Sequence, residues 1–208
     1  MKKPKLIIFD FSGTLAYFKK VDYKKFFSGL TSLGLEIKTE EQKNLFGESF
    51  RKNLGYSRNW PDFSQKILNS FSIKAEKKTI KKIAEFFRRK LKIQAYSDAK
   101  EIIDLPLKKA ILSANAKFLI KEIFPRGFKI FGPAETKFLK PDPRAYLFVL
   151  KKLKVKPEEI VMVGDEADRD LVIARELGMK TILIDRENKI KNYSGIKIRS
   201  LKKLKKYL

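Results

Sequence analysis

The sequence contains no cysteine and no histidine, and these two absences remove several kinds of catalysis at once. Without these residues the chain can build no Ser-His-Asp triad, no thiol nucleophile and no Cys/His zinc site. An enzyme with this sequence has to work with Asp, Glu, Ser, Thr, Lys, Arg or Tyr, or with a hard metal ion. Carboxylate oxygens are ligands that Mg²⁺ prefers, so Mg²⁺ is the metal to expect.

Long apolar segments are absent too, since no run approaches the ~20 residues that span a bilayer. The charged start, Met1–Lys5, resembles the beginning of a signal peptide. The apolar stretch after it ends at Asp10, too early for an apolar region of about 7–15 residues. The 208 residues, 43% of them hydrophobic, suffice for one domain with a small insertion. We therefore expect an intracellular, cytoplasmic protein with no membrane partner.

Acidic residues are scarce relative to basic ones, 24 against 48, which gives a formal net charge of +24. Such a field attracts polyanions, so nucleic acid is a conceivable partner. The basic residues are spread along the chain, however, and this favours a lysine-rich solvated surface over a nucleic-acid interface. The densest group lies in residues 199–208, where Leu201, Leu204 and Leu208 have the spacing of an amphipathic helix docked on the domain.

Residues 16–105 have mostly helical patterns, after a first predicted strand at residues 5–9. The predicted helices cover residues 22–33, 39–54, 61–71 and 76–93, and a capping-box pattern, Thr39-Glu40-Glu41-Gln42, opens the second. The aromatic residues of this region are expected to form the core of a small helical subdomain. They are Phe26, Phe27, Phe46, Phe50, Trp60, Phe63, Phe71, Phe86 and Phe87.

From about residue 106, predicted strands alternate with predicted helices. The strands cover residues 109–112, 128–131, 160–163 and 180–184, and the helices cover residues 115–123, 143–153 and 168–177. Pro143 suits the first position of its helix, and Gly178 suits the end of the last one. Such alternation predicts an α/β fold with a parallel sheet flanked by helices, with domain joints near 16–20 and 98–106.

Polar residues follow several predicted strands, at the ends where parallel sheets place their reactive groups. Carboxylates can hold Mg²⁺, whereas hydroxyl and ammonium groups can hold phosphate oxygens. The set therefore fits a metal-assisted phosphoryl site in which Asp10 is the nucleophile and forms an aspartyl-phosphate. Its members are Asp10, Ser113, Lys140 and Asp165, with Asp168 and Asp170 close behind.

Four segments that contain these residues resemble, in order, the motifs of the haloacid dehalogenase-like (HAD) hydrolase superfamily. Asp10-Phe11-Ser12-Gly13-Thr14 resembles the first motif, Asp-x-Asp-x-Thr, and Ile111-Leu112-Ser113 resembles the second. Lys140-Pro141-Asp142-Pro143 resembles the third, and Val163-Gly164-Asp165 with residues 170–179 resembles the fourth. The resemblance covers residues 5–185. It implies a three-layer Rossmann-like core at 1–16 and 105–208, with a helical cap at 17–104.

The resemblance also implies Mg²⁺ as the cofactor and assigns roles to the matching residues. Asp10 would be the nucleophile, and the metal ligands would be Asp10, the Ser12 backbone carbonyl, Asp165 and Asp170. Phosphate binding would fall to Ser113, Ala114, Lys140 and Thr14, with Lys140 also neutralising Asp10. The spacing to residues 171–175 favours Asp170 over Asp168, and Lys137 is a weaker alternative to Lys140. The implied substrate is a small phosphorylated molecule.

Position 12 departs from the pattern, because phosphatases of the superfamily place a second Asp there. That Asp protonates the leaving group and then activates water, and loss of such a group typically costs about 10²–10⁴-fold in rate. The hydroxyl of Ser12 can orient water or donate a hydrogen bond, but it is a poor proton carrier near neutral pH. We expect a Mg²⁺-dependent phosphatase that uses Asp10, Ser12 and Lys140 and is slow or limited to good leaving groups.

Two alternatives stay open at this point. Other branches of the superfamily lack the second Asp, so the chain could cleave carbon–halogen or carbon–phosphorus bonds. It could also be a weakly catalytic binding or regulatory protein, although retention of Asp10, Thr14, Ser113, Lys140 and Asp165 argues against outright loss of turnover. A phosphatase that acts on nucleic-acid ends would use the net charge of +24.

Overall fold

The computed structural model describes residues 4–208 and divides the chain into two compact units. The sheet unit consists of the chain up to Tyr17 together with Gln94–Leu208, and the helical unit consists of Phe18–Ile93. Of the charged start compared above with a signal peptide, residues 1–3 lie outside the described residues. No helix in residues 4–208 is long and apolar enough to cross a bilayer.

The strands form one large parallel sheet and one small sheet. The large sheet has the order β5-β4-β1-β6-β7-β8, and β2 pairs with β3 where the chain passes between its two units. The strands are β1 (Leu6–Phe9), β2 (Ala16–Phe18), β3 (Ile93–Ala95), β4 (Lys108–Leu112), β5 (Lys129–Phe131), β6 (Ile160–Gly164), β7 (Lys180–Ile184) and β8 (Ile196–Ile198).

The α-helices of residues 4–208 fall into two groups of four along the chain. Those of the helical unit are α1 (Tyr23–Thr31), α2 (Glu40–Leu54), α3 (Trp60–Ser70) and α4 (Lys77–Lys90). Those of the sheet unit are α5 (Lys117–Ile123), α6 (Pro133–Thr136), α7 (Pro143–Leu153) and α8 (Val172–Glu176). The capping box at Thr39 and the first-position proline of α7 are both present, as the sequence predicts.

Every residue of β1 and β6 is buried, so both faces of the sheet are covered, as in other parallel sheets. On one face Leu6, Ile8 and Met162 share a core cluster with Tyr146 and Val149 of α7. The predicted α/β fold, with a Rossmann-like parallel sheet, is confirmed. β1 lies where the strand order reverses, with β4 on one side and β6 on the other. A crevice for ligands forms at such a point, beyond the carboxyl ends of the strands.

An aromatic core holds the helical unit together. Phe63 of α3 and Phe87 of α4 are fully buried, with ring centroids 5.1 Å apart. Phe26, Phe46, Trp60 and Phe86 are also buried, whereas Phe27, Phe50 and Phe71 are partly buried. The prediction that these aromatics form a helical core is therefore confirmed for most of them.

Three predicted helices differ from the observed ones. The helix predicted at 76–93 ends at Lys90, because Ile93 already belongs to β3. The helix predicted at 168–177 opens with a π-helical turn, Ala167–Leu171, before α8 begins. Residues 201–207 form a 3₁₀ helix, whose repeat of about three residues buries both Leu201 and Leu204.

The second boundary between the units falls at 93/94, and not at the predicted 104/105. The intervening residues belong to the sheet unit because the buried carboxylate of Asp98 binds Arg186 and Ser200 of that unit. β2, β3 and β8 were not predicted from the sequence. Each of them has only three residues.

Candidate active site

The strand register brings the predicted site residues together. Phe9, the last residue of β1, pairs with Ile111 of β4 and with Val163 of β6. Asp10, which follows Phe9, donates its backbone N–H to the Val163 carbonyl at 2.8 Å. Ser113 and Asp165 directly follow β4 and β6, so these side chains meet at the carboxyl edge of the sheet.

Three carboxylates form a cluster at this edge. Asp10, Asp165 and Asp170 each place one oxygen within 4.8 Å of the others. Asp10 and Asp170 are buried, and Asp165 is half-buried. Asp168, the alternative acid, is exposed on the same turn, so the structure brings Asp170 to the cluster and leaves Asp168 outside. Closely spaced, dry carboxylates repel one another unless cations lie between them.

Lys140 supplies one such cation. Its ammonium contacts Asp10 Oδ1 and Asp170 Oδ1, both at 2.5 Å, and its side chain is 4% exposed. Lys137, the alternative lysine, instead donates to the backbone carbonyl of Ala134. Geometry therefore favours Lys140 and leaves Lys137 outside the cluster.

The charges of the cluster do not balance. Although burial alone would lower the pKa of Lys140, the carboxylates of Asp10 and Asp170 hold it above its usual value, so the ammonium stays charged. Burial, together with the negative charge of Asp170 and Asp165, raises the pKa of Asp10 from 3.8 to about 7, against the opposing effect of Lys140. Three acidic groups thus share one ammonium, and a second cation would relieve their repulsion.

A hard divalent cation fits this donor set. Mg²⁺ is bound through oxygen ligands, usually one or two carboxylates plus water and substrate phosphate. Asp10, Asp165 and Asp170 could supply the carboxylate oxygens. The backbone carbonyl of Ser12 stays a predicted fourth ligand.

The loop after β1 lies against Asp165. Gly13 has a backbone φ of +79°, and a Cβ at this position would overlap the Asp165 carboxylate. The hydroxyl of Thr14 donates to Asp165 Oδ1 at 2.9 Å. Thr14 therefore holds a carboxylate of the cluster, and the phosphate-binding role predicted for it stays a prediction.

Two serine hydroxyls lie beside a residue that the sequence analysis missed. The side-chain amide of Asn115 donates to Ser12 Oγ at 2.9 Å and to Ser113 Oγ at 3.2 Å. Ser113 is buried, and Ser12 and Ala114 are half-buried. Asn115 follows β4 by three residues, so the rule that located Ser113 could have found it.

Arg186 is a second residue that the sequence analysis missed. Its guanidinium donates to the backbone carbonyls of Gly13 and Thr14, at 3.2 and 2.6 Å. It also donates to both oxygens of Asp98 at 3.0 Å and stacks 3.7 Å from the ring centroid of Tyr96. Arg186 follows β7 closely, as the other site residues follow their strands. Its partner Asp98 is about 90 residues away along the chain, and no local pattern joins the two.

Hydrogen bonds hold Asp98 in its charged form. Burial alone would raise its pKa, but donors from Arg186, Ser200 and the Leu201 backbone hold the pKa below its usual value. Charge-assisted, bidentate pairing of this kind is among the stronger polar contacts in proteins. Because Arg186 also binds the Gly13 and Thr14 carbonyls, the pair fixes the loop that carries Asp10.

The fold and the site define a Rossmann-like α/β protein with a buried carboxylate–lysine centre at the edge of its sheet. The chain belongs to the haloacid dehalogenase-like hydrolases, and the family's sequence model matches residues 4–178. It is therefore a hydrolase of the HAD superfamily. A curated relative, glyceraldehyde 3-phosphate phosphatase from Methanocaldococcus jannaschii, is 26% identical over 225 residues, which cover 95% of this chain and 94% of that protein.

Solved structures of the superfamily have the same fold. A HAD phosphatase from Thermococcus onnurineus matches with a TM-score of 0.62 and 22% identity, covering 98% of this chain and 97% of that one. A 2-haloacid dehalogenase from Pseudomonas syringae pv. Tomato matches with a TM-score of 0.69 and 16% identity over the same shares. The fold is thus common to both activities, and only the site can separate them.

The close approach of Gly13 to Asp165 predicts the effect of adding one methyl group. Gly13→Ala should cost about 1–2 kcal/mol of backbone strain and should displace the Asp165 carboxylate as well. Gly34→Ala is a matched control, because Gly34 also has a positive φ, of +89°, but has open space around it. We expect Gly13→Ala to lower the melting temperature more than Gly34→Ala. Equal losses would contradict the predicted overlap.

The pair of Asp98 and Arg186 predicts a dependence of stability on pH. Because folding lowers the pKa of Asp98, its contribution is fully present above the unfolded pKa, near 3.8, and is lost as pH falls through the folded pKa. At neutral pH, Asp98→Asn should lower the unfolding free energy by about 3 kcal/mol, since it leaves a largely buried arginine unpaired.

Urea unfolding between pH 7 and pH 2 would measure this effect, because the folded pKa of Asp98 lies below 3.8. The difference between wild type and Asp98→Asn should be largest at neutral pH and should shrink as the medium becomes acidic. Asp104→Asn, at an exposed position, should change the unfolding free energy by less than about 0.5 kcal/mol. A difference that is independent of pH would rule out the charged form of Asp98 as the stabilising species.

Proposed function

We propose that the chain is a Mg²⁺-dependent phosphatase that acts on small phosphate monoesters through an aspartyl-phosphate on Asp10. The observation that carries the proposal is the cluster of Asp10, Asp165 and Asp170 around Lys140. A buried nucleophile beside a fixed ammonium and a cation-binding acidic cluster suits a phosphoryl group, which brings its own negative charge. The similarity over most of the chain to a sugar-phosphate phosphatase supports the same reaction.

In the first step, an oxygen of the Asp10 carboxylate attacks phosphorus and the ester P–O bond breaks. The leaving group takes that electron pair, and the phosphoryl group stays on Asp10. Lys140 and Ser113 would hold the phosphoryl oxygens, since ammonium and hydroxyl groups are donors to them. A bound Mg²⁺ would supply positive charge shared between the carboxylates and the phosphoryl oxygens.

In the second step, water attacks phosphorus and the bond between the Asp10 oxygen and phosphorus breaks. The inorganic phosphate that leaves keeps both protons of the water, and Asp10 returns to a carboxylate. Lys140 stabilises that carboxylate as it forms. Thr14 and Arg186 keep the loop of Asp10 in place during both steps.

Ser12 limits the leaving group in this proposal. Its hydroxyl can donate a hydrogen bond but cannot give up a proton as a carboxylic acid does. The best substrates should therefore be aryl, enol or acyl phosphates, whose leaving groups are stable without early protonation. Alkyl phosphates should react more slowly.

Phosphate release from p-nitrophenyl phosphate tests the proposal, because this ester has a good leaving group. The purified chain should release phosphate with Mg²⁺ and not with EDTA. Asp10→Asn should abolish release, whereas Asp168→Asn, which changes an exposed acid outside the cluster, should retain it. Halide release from a 2-haloacid without metal, and no phosphate release, would instead identify a dehalogenase.

Ser12→Asp should raise the rate with phenyl phosphate about tenfold or more, because it restores a group able to carry a proton. The gain with p-nitrophenyl phosphate should be smaller, since that leaving group needs less help. Ser12→Asn, which has the same shape but no acid, is the matched control and should show no such gain. A rate for Ser12→Asp at or below wild type would mean that Ser12 serves another purpose.

A further inference from the structure

Asn115 connects the two serine hydroxyls of the site. Its side-chain amide donates to Ser12 Oγ at 2.9 Å and to Ser113 Oγ at 3.2 Å. Its backbone N–H donates to Ser113 Oγ as well, at 3.0 Å. One residue thus contacts the serine after β1, in the position of the missing acid, and the serine after β4.

The direction of these hydrogen bonds determines which further hydrogen bonds each hydroxyl can form. A serine hydroxyl has one proton to donate and two lone pairs that accept. Ser113 Oγ already accepts two hydrogen bonds from Asn115, so its remaining capacity is its own proton. Ser12 Oγ accepts one from the Asn115 amide, and its proton is also uncommitted. Within residues 4–208, neither hydroxyl donates a hydrogen bond to a protein acceptor.

We propose that Asn115 is a positioning residue that sets both hydroxyls as hydrogen-bond donors into the site. Ser113 donates to a phosphoryl oxygen, and Ser12 donates to the oxygen of the leaving group. This inference rests on the proposed phosphatase function and adds to it the means by which Ser12 acts. The site then stabilises the departing oxygen with a neutral donor in place of an acid.

The first step of the reaction needs no transfer of the proton of Ser12. The oxygen of Asp10 forms a bond to phosphorus as the ester P–O bond breaks, and the leaving group departs as an anion. Ser12 keeps its proton and shares it in a hydrogen bond to that anion, which later takes a proton from bulk water. A neutral donor of this kind helps a basic leaving oxygen more than a weakly basic one, because the hydrogen bond strengthens with basicity.

A series of aryl phosphates with leaving groups of increasing basicity tests the inference. The measured quantity is kcat/KM with Mg²⁺, plotted against the pKa of the released phenol. Asn115→Asp replaces a donor by an acceptor of the same shape, so the hydroxyls should turn toward it. We expect kcat/KM to fall for every ester, because Ser113 no longer donates to the phosphoryl group. The fall should be about tenfold larger for phenyl phosphate than for p-nitrophenyl phosphate, because Ser12 no longer donates to the leaving oxygen.

Three other variants keep the test independent of folding. Asn44→Asp makes the same chemical change at an exposed position of α2 and should leave the slope of the plot unchanged. Ser12→Ala should steepen the slope about as much as Asn115→Asp does. The double variant Ser12→Ala/Asn115→Asp should steepen it no further, because the two residues act through one hydrogen bond.

The outcomes separate this inference from the function on which it rests. If wild type releases phosphate but Asn115→Asp lowers all rates by one common factor, Asn115 serves only phosphate binding and the inference is wrong. A change of slope in the double variant that equals the sum of the changes in the two single variants would also overturn it. No release from any ester by the wild-type chain would overturn the phosphatase proposal and this inference with it.

Discussion

The ion pairs of Lys140 with Asp10 and Asp170 are the constraint on which the rest of the site depends. Each of the three groups would be costly to bury alone, by several kcal/mol, and together they neutralise part of that cost. Asp10 follows β1, Asp170 lies in the π-helical turn after β6, and Lys140 precedes α7. One buried cation therefore joins three chain segments at the reversal point of the sheet. The negative charge that remains makes the same place attractive to a metal ion.

Two sets of contacts hold the loop that carries Asp10. Gly13 and Thr14 lie against Asp165, and Arg186 binds the backbone carbonyls of the same two residues. Because Arg186 is itself oriented by Asp98, the rigidity of the loop depends on residues far from the acidic cluster. The nucleophile that we propose, Asp10, has to be held within a fraction of an ångström of its productive geometry, and these contacts serve that need.

Ser12 stands where the resemblance to phosphatases of the superfamily predicts a second acid, and it accepts a hydrogen bond from Asn115. The fold is shared with phosphatases and dehalogenases alike, so the sheet and helices alone decide neither activity. The choice depends on how the carboxylates, the lysine and the two hydroxyls are directed. The activity therefore depends on individual hydrogen bonds in the site.

The sequence by itself determined the α/β fold, because the apolar runs of β1, β4, β6 and β7 are long enough to be recognised locally. It also located Asp10, Ser113, Lys140 and Asp165, since each follows a strand or belongs to a motif of adjacent residues. Only the tertiary structure placed Thr14 on Asp165 and revealed the contacts of Asn115 and Arg186. These outcomes depend on hydrogen bonds between residues about 90 to 170 positions apart, which form only once the chain is folded.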